Sequence, residues 1–285
     1  MTTKATTHLT LIADYGTGDP AFQEVIQRLR LHLPSAHIET LSVPAFNTVA
    51  TGFWIAQLGL NPGTEGRIIY HNCAPRKDNL KARVDNEGEG LTVAELPNRV
   101  KVIGVWAGHT LSFIKEHALS IWTVNVPKNG SQFRSRDIFP QALGQLLQGD
   151  NSLFGEEISP KDISSIPSNS IAWIDGYGNI KTTIDAHTWN LTPGTRISVR
   201  LGTETHEAIF ADGSFTVPEG TLAFAPGSSG WSRDRAPHST QWMELFLRGG
   251  NAWELFKRPN FQEPLTIETI REYEYRQRWT DRLAS

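Results

Sequence analysis

Two carboxylates flank a glycine-rich turn near the N-terminus and could bind a polar ligand. Residues 14–20 read Asp-Tyr-Gly-Thr-Gly-Asp-Pro, so that Asp14 opens the turn and Asp19 closes it. An apolar run at residues 9–13 precedes the turn, and residues 21–33 follow with the apolar spacing of one helix face. A turn between a strand and a helix lies at the carboxyl edge of a sheet, where α/β proteins commonly bind ligands. Two carboxylates at that edge favour a ligand with hydroxyl or ammonium groups over a phosphate.

The same turn also has a purely structural interpretation. Asp, Gly and Pro are ordinary turn residues, and Asp19 before Pro20 is a common way to begin a helix. No third glycine follows Gly16 and Gly18 at the spacing of a dinucleotide-binding turn. From local chemistry alone, a ligand site and an ordinary helix start are about equally favoured.

The bulk composition is that of a globular protein and excludes several functional classes. The chain has 285 residues and a net charge of -3, which gives no reason to expect nucleic acid or an anionic membrane as a partner. A single cysteine, Cys73, excludes an internal disulfide framework, and no Cys/His cluster has zinc-ligand spacing. Residues 1–7 lack the apolar segment of a signal peptide, and no apolar run could span a bilayer. We therefore expect a cytoplasmic protein that binds no metal.

Strands and helices are predicted to alternate over residues 8–149. Further strands are predicted at residues 37–43, 67–71, 100–106 and 120–126, and further helices at residues 48–60, 110–117 and 136–148. This alternation predicts an α/β N-terminal domain that is layered around a largely parallel sheet.

The second half of the chain has a different composition. Residues 150–169 are rich in Ser, Pro, Asp and Glu, which is typical of an exposed linker. Short β-type runs follow at residues 170–175, 179–184, 196–201, 207–210, 221–225 and 242–247. Because no helices separate these runs, residues 170–264 are predicted to form an all-β C-terminal domain, either a small antiparallel barrel or a sandwich. Residues 265–285 are predicted to form a charged C-terminal helix or tail.

Four segments, in order along the chain, resemble those of one enzyme family. Residues 174–184 read Ile-Asp-Gly-Tyr-Gly-Asn-Ile-Lys-Thr-Thr-Ile. They resemble the Asp-x-Phe-Gly-Asn-x-x-Thr-Asn-Ile segment of the S-adenosylmethionine hydroxide adenosyltransferases, a family that includes fluorinating and chlorinating enzymes. Residues 14–20 are similar to its Thr-Asp-Phe-Gly-x-x-Asp turn, and residues 133–139 to its Thr-Phe-His-Gly-Arg-Asp-x-Phe segment. Residues 250–252, Gly-Asn-Ala, resemble a segment near the family's C-terminus.

The resemblance implies an N-terminal α/β domain and a C-terminal β-barrel, assembled as a homotrimer. In the family, the adenosyl ligand lies between one subunit's N-terminal domain and its neighbour's C-terminal domain. S-adenosylmethionine is the substrate, and no further cofactor is implied. The reaction is a displacement at C5′, in which methionine leaves the sulfonium as a neutral thioether. We therefore expect cleavage of S-adenosylmethionine, with hydrolysis to adenosine and methionine as the leading possibility.

The resemblance also implies roles for matching residues of the first half. Asp14 would accept hydrogen bonds from both ribose hydroxyls, and Asp19 would lie close to the methionine or sulfonium end. Phe46 would pack near the ribose and methionine. Ser135 matches a family position near C5′ and the nucleophile.

In the second half, the resemblance concerns the glycine-rich segment at residues 175–179. Tyr177 would stack on adenine, and Asn179 would hydrogen-bond its edge. Asp175 would hold the methionine ammonium group. Together with the first half, these residues would complete an adenosyl site.

The chain departs from the family pattern at the reacting centre. Ala74 stands where the hydrolytic members carry a water-orienting aspartate, and Arg134 stands where they carry a histidine. Asp78 lies close by in the sequence and could replace the aspartate. His71 and His109 are other candidates to orient water, although a lone histidine is more often structural.

Three interpretations of these departures stay open. In the first, the chain hydrolyses S-adenosylmethionine with substitutes such as Asp78. In the second, Arg134, Arg76 and Lys77 form a cationic pocket that favours an anionic nucleophile or an acidic substrate; a solvated loop is the competing explanation for these charges. In the third, the protein binds an adenosyl ligand without cleaving it. A structural or interaction protein that only retains the fold is a further alternative.

Overall fold

The chain folds into two compact units, which divide between Ile166 and Pro167. The structure, a computed structural model, describes residues 7–74, 89–127, 130–213, 215–231 and 239–270. The division lies within residues 150–169, but not all of this stretch is a linker. Residues Phe154–Glu157 form an edge strand of the first unit, where they pair with an earlier strand.

Within its described residues, the first unit contains one seven-stranded sheet and four helices. Its strands are β1 (His8–Ala13), β2 (His37–Ser42), β3 (Ile68–Asn72), β4 (Leu91–Leu96), β5 (Val100–Val105), β6 (Ser120–Val124) and β7 (Phe154–Glu157). Its helices are α1 (Pro20–His32), α2 (Thr48–Leu60), α3 (Arg134–Asp137) and α4 (Phe139–Leu147).

The sheet of the first unit is mixed, whereas the sequence predicts a largely parallel one. The strand order is β2-β1-β3-β5-β4-β6-β7. The pairs among β2, β1, β3 and β5 are parallel, and the pairs that β4 makes with β5 and β6, and β6 with β7, are antiparallel. The physical reason is the connection from β4 to β5, which is a short turn at Pro97–Arg99 rather than a crossover helix.

The apolar faces of β1, β3, α1 and α4 form the main core of the first unit. Leu9 and Leu11 of β1 pack in one cluster with Val25 and Leu29 of α1, and all four are buried. Since α1 begins directly after the glycine-rich turn, this packing holds that turn at the carboxyl end of β1.

Residues 110–117 wind through consecutive turns and do not form the predicted helix. Their backbone bonds run mostly between residues three apart, as from the Ser112 N–H to the His109 carbonyl. The Thr110 hydroxyl donates to the Val105 carbonyl at 3.1 Å and accepts from the Ala107 N–H at 3.3 Å. These side-chain bonds compete with the backbone pattern of a regular helix.

The described part of the second unit contains another seven-stranded sheet and one short helix, α5 (Ala252–Leu255). Its strands are β8 (Ile171–Ile174), β9 (Ile180–Asp185), β10 (Arg196–Leu201), β11 (Glu204–Phe210), β12 (Leu222–Trp231), β13 (Thr240–Leu247) and β14 (Leu265–Thr269). The order is β14-β10-β11-β12-β13-β9-β8, in which β11 and β12 are parallel and the other pairs antiparallel.

The second sheet curls into a half-barrel. The N–H of Leu265 in edge strand β14 donates to the carbonyl of Asn169, just before the opposite edge strand β8, at 3.1 Å. Residues 265–269 form strand β14, so the predicted C-terminal helix or tail is wrong for this stretch, and residues 271–285 lie outside the described residues. Leu265 and Ile267 alternate onto the core of the unit, which explains why the strand forms.

The helices of the protein are short. The longest in the described ranges, α1 and α2, have 13 residues each. Within the same ranges, no helix has the length and apolar character needed to cross a bilayer.

Candidate functional site

Asp14 extends from the carboxyl end of β1, where the backbone holds its carboxylate in place. Oδ2 accepts a hydrogen bond from the Phe46 N–H at 2.9 Å. Burial, and after it the nearby Asp14 carboxylate, raise the pKa of the Cys73 thiol. The Asp14 side chain is half-buried. An ionised carboxylate is an acceptor with about four positions, which suits a ligand that carries hydroxyl groups.

Phe46 adopts an unusual backbone conformation beside Asp14. Its φ is 60°, in the left-handed region that non-glycine residues seldom occupy, and its side chain is 46% exposed. Such a conformation costs on the order of 1–3 kcal/mol and often occurs at functional sites. It points the Phe46 N–H at the Asp14 carboxylate, so the structure brings these two predicted residues together.

Asn47 follows Phe46 and was missed by the sequence analysis. Its Oδ1 caps α2 by accepting from the Ala50 N–H at 2.9 Å. Its Nδ2 is buried, with no hydrogen-bond partner among the described residues. The Asn before a predicted helix was a visible capping signal, whereas the burial of its amide depends on the fold.

Asp19 acts as the N-cap of α1. Its Oδ1 accepts from the Ala21 N–H at 2.8 Å, and Pro20 is the first residue of the helix. The side chain is exposed. The observed bond of Asp19 is therefore the helix-capping bond that Asp before Pro at a helix start predicts.

Ser135 is buried in α3 and held by two tyrosines. Its Oγ lies 2.8 Å from the Tyr15 hydroxyl, and its carbonyl accepts from the Tyr70 hydroxyl at 2.7 Å. Burial raises the pKa of both phenols, so each keeps its proton over a wide pH range. Since Tyr15 directly follows Asp14, the structure connects Ser135 with the Asp14 end of β1.

Arg134 is also buried, so the alternative explanation of a solvated loop is wrong for this residue. Its Nη1 donates to the Glu89 carbonyl at 3.1 Å, and its guanidinium lies 4.9 Å from the centre of the Phe139 ring. A cation–aromatic contact of this kind is compatible with burial of the charge. The other predicted cations, Arg76 and Lys77, and the candidate Asp78 lie outside the described residues.

The two candidate histidines occupy different environments. His71 is fully buried in β3, and burial lowers its pKa to about 3, so that it is neutral. Neither ring nitrogen of His71 has a hydrogen-bond partner within the described part of the chain. His109 is half-buried, its Nδ1 lies 3.2 Å from the Ser112 hydroxyl, and burial lowers its pKa.

Asp175 organises the turn between β8 and β9 in the second unit. Its Oδ1 accepts from the N–H groups of Tyr177 and Asn179 at 2.9 and 3.0 Å, and its Oδ2 accepts from the Asn179 amide at 3.0 Å. The Tyr177 side chain is 81% exposed. The structure thus brings the three predicted residues of this segment together, with the tyrosine ring presented to solvent.

The Gly-Asn-Ala segment, residues 250–252, packs against the same turn. The Gly178 carbonyl accepts from the Trp253 N–H at 3.0 Å, and the Asn251 side chain lies where a Cβ on Gly178 would be. Gly178 also has a φ of +80°, which favours glycine. Two segments that carry the family resemblance are therefore in contact within this unit.

A buried ion pair next to this turn was not predicted. Lys181 Nζ lies 2.9 Å from Glu244 Oε1 and 4.0 Å from Asp175 Oδ2, and Glu244 also accepts from the Ser229 hydroxyl at 2.6 Å. Glu244 interrupts the apolar part of β13, which was the available signal, whereas Lys181 lies in a strand with other polar residues. The pairing itself joins residues 63 apart in sequence and could not be deduced locally.

No group of three His, Cys, Asp or Glu side chains in the described ranges is arranged to hold a metal ion. The candidate residues instead form two groups, one in each unit. In the first unit, Phe46 bonds to Asp14 and Ser135 to the adjacent Tyr15, and in the second unit Tyr177 and Asn179 bond to Asp175.

Comparison with known proteins supports the fold but assigns no activity. No protein-family model and no curated protein matches the chain. The fold is similar to the crystal structure of an uncharacterized conserved protein from Thermotoga maritima, with a TM-score of 0.68 and 17% identity over 91% of this chain and 99% of that one. It is also similar to a conserved hypothetical protein from Thermus thermophilus, with a TM-score of 0.63 and 17% identity over 93% of this chain and 100% of that one.

Proposed function

We propose that this protein binds S-adenosylmethionine and cleaves its C5′–sulfur bond, with hydrolysis to adenosine and methionine as the leading reaction. The observation that carries the proposal is the Asp14 carboxylate, held at the carboxyl end of β1 by the Phe46 N–H at 2.9 Å. A fixed carboxylate suits a ribose diol, because each hydrogen bond to a charged group contributes about 1.5–3 kcal/mol.

The second unit supports an adenine-binding role in this proposal. Tyr177 presents an exposed ring on which a base could stack. The Asn179 Nδ2 is engaged by Asp175, so its Oδ1 is the atom that we expect to accept from the adenine amino group. The remaining acceptor positions of Asp175 would serve the methionine ammonium group.

The proposed reaction needs positioning more than acid catalysis. A nucleophile attacks C5′ while the electron pair of the C5′–sulfur bond leaves with methionine, which is already neutral. When the nucleophile is water, its proton passes to solvent. Alignment of the reacting atoms and exclusion of bulk water are then the main contributions of the protein. In the proposal, Ser135 lies near C5′ and Asp19 near the methionine end.

The proposal includes the finer architecture that the family resemblance implies. The first unit would be its layered α/β domain and the curled sheet of the second unit its β-barrel, in a homotrimeric assembly. The order of the four similar segments supports this assignment, as does the contact between two of them around Gly178.

Transfer of the adenosyl group to an anionic nucleophile is the second candidate. The buried guanidinium of Arg134, next to Ser135, favours it because a cation in a desolvated position attracts an anion more strongly than it attracts water. Hydrolysis remains the leading candidate because Arg134 already donates to a backbone carbonyl.

Ligand-induced stabilisation tests the binding part of the proposal. We expect S-adenosylmethionine and adenosine to raise the melting temperature, since a ligand at one hundred times its Kd stabilises the native state by about 2.7 kcal/mol. Asp14→Ala should weaken adenosine binding by at least about tenfold, and Asp14→Asn by an intermediate amount. Asp162→Ala, which removes an exposed carboxylate elsewhere in the unit, is the matched control. The proposal is wrong if neither ligand shifts the wild-type protein, or if Asp14→Ala binds adenosine as tightly as wild type.

A further inference from the structure

Ser135 is bonded by two tyrosine hydroxyls that come from neighbouring parallel strands. Tyr15 follows β1 and lies 2.8 Å from the Ser135 Oγ, and Tyr70 of β3 donates to the Ser135 carbonyl at 2.7 Å. Ser135 itself is only 3% exposed. The Tyr70 bond fixes the backbone of Ser135, whereas the Tyr15 bond acts on its reactive hydroxyl.

The ring of Tyr15 is fixed on two sides. It packs edge-on against Phe22 at 5.1 Å and against Phe133 at 5.6 Å between ring centres. The residue is anchored directly after Asp14, the proposed ribose ligand. Its hydroxyl therefore has a defined position relative to both Asp14 and Ser135.

The chemistry of the two hydroxyls sets the direction of the bond between them. A phenol is a stronger acid, and so a better hydrogen-bond donor, than the aliphatic hydroxyl of serine. Burial raises the pKa of Tyr15, so the phenol stays protonated and able to donate. If Tyr15 donates, the Ser135 hydroxyl proton is directed to another acceptor.

We propose that Tyr15 is a positioning residue that turns the Ser135 hydroxyl outward as a hydrogen-bond donor to the nucleophile that attacks the 5′ carbon of the ligand. This inference rests on the proposed function, since it assumes that an adenosyl ligand binds beside Asp14. In S-adenosylmethionine cleavage, that acceptor is the incoming nucleophile. In the product adenosine, it is the 5′ oxygen.

Binding of adenosine and 5′-deoxyadenosine tests the inference without requiring turnover. The two nucleosides share the ribose diol and the base, and differ only in the 5′ oxygen. We expect the wild-type protein to bind adenosine about tenfold more tightly, a difference that corresponds to one hydrogen bond. Tyr15→Phe keeps the ring between Phe22 and Phe133, removes the hydroxyl and should reduce this preference to about twofold or less.

Three further variants give the comparison its controls. Ser135→Ala should lose the preference to the same extent as Tyr15→Phe, and the double variant should lose no more than either single one, because the two hydroxyls act through one bond. Asp14→Ala should weaken the binding of both nucleosides equally and leave the ratio of their affinities unchanged. Ser152→Ala removes an exposed hydroxyl bonded to Asp150 and should leave both affinities unchanged.

The outcomes distinguish failure of this inference from failure of the proposed function. If wild type does not discriminate, or if Tyr15→Phe discriminates as well as wild type, the role of Tyr15 is wrong although the adenosyl site stands. If wild type discriminates and Tyr15→Phe does not, the role of Tyr15 is supported even when S-adenosylmethionine is not cleaved. Binding of neither nucleoside would overturn the proposed site and this inference together. Circular dichroism of Tyr15→Phe and Ser135→Ala verifies that both variants are folded.

Discussion

His71 and Asp14 illustrate two ways in which a polar side chain is accommodated in the first unit. Asp14 is half-buried and accepts a hydrogen bond from the Phe46 backbone. His71 is fully buried, and its ring nitrogens have no hydrogen-bond partner among the described residues. A buried imidazole without partners is stable only in its neutral form, because burial of its charge would be costly.

We predict that His71 lowers the stability of the protein at acidic pH. The unfolded imidazole takes up a proton near its ordinary pKa of 6.5, whereas the folded one does so only at about 3. Stability is thus unaffected above about pH 6.5 and falls as the pH decreases from there towards 3, by up to about 1.4 kcal/mol per pH unit.

Urea denaturation at about pH 7 and about pH 5 measures this effect. His71→Gln should lose less stability between the two values than wild type, because it has no imidazole to protonate. His37→Gln, which changes an exposed histidine of β2, should behave as wild type does. Equal pH dependence of wild type and His71→Gln would refute the prediction.

Asp19 is expected to contribute to stability as a helix cap. Asp19→Ala should lower the free energy of unfolding by about 0.5–2 kcal/mol, since the Ala21 N–H loses its partner, and Asp19→Ser should restore most of it. If Asp19 also contacts the ligand as proposed, Asp19→Ser will still bind S-adenosylmethionine more weakly than wild type. Full affinity in Asp19→Ser would leave Asp19 with the capping role alone.

At the level of elements, the sequence predicted best where one strong local pattern determined the structure. The predicted helix at residues 48–60 has the observed bounds of α2, and the predicted strand at residues 196–201 those of β10. The strand β4 was missed because it is buried on both faces over most of its length and shows no alternation. The short edge strand β7 was missed because its polar composition is that of a linker.

The candidate site, too, could be predicted from the sequence only where local patterns determine it. The turn residues around Asp14 and the glycine-rich segment around Asp175 indicated from the sequence alone that both could belong to a site. The bond between Tyr15 and Ser135, by contrast, joins residues 120 apart. Only the packing of α3 beside β1 and β3 brings these hydroxyls together, so no local pattern could reveal the pair.

The turn between β8 and β9 gives a prediction with an internal control. Gly178→Ala should destabilise the second unit by about 2 kcal/mol or more, because a positive φ is costly for alanine and the new Cβ would collide with Asn251. Gly176→Ala, in the same turn, has open space around its Cβ and should change stability by less than about 0.5 kcal/mol. Thermal unfolding of the two variants measures the difference; similar losses would contradict this account of the turn.

At the scale of the whole molecule, two cores imply two folding units. The apolar clusters around β1 and α1 and around β10 and β12 lie in separate units. We predict that fragments 1–166 and 167–285 each fold when expressed alone and unfold cooperatively.

A shorter N-terminal fragment tests where the first unit ends. A fragment of residues 1–149 lacks β7, which pairs with β6, and should be less stable than fragment 1–166. Urea denaturation followed by circular dichroism compares the two. The division is incorrect if fragment 1–166 is unfolded, or if fragment 1–149 is equally stable.

The most direct test of the central claim is incubation of the purified protein with S-adenosylmethionine, followed by chromatography of the products. We predict equal amounts of adenosine and methionine from wild type, and at least about tenfold slower release by Asp14→Ala, which loses the contacts to the ribose. A different adenosyl product together with methionine would identify a nucleophile other than water. S-adenosylmethionine that decays no faster with wild type than in buffer alone would contradict the claim that this protein cleaves it.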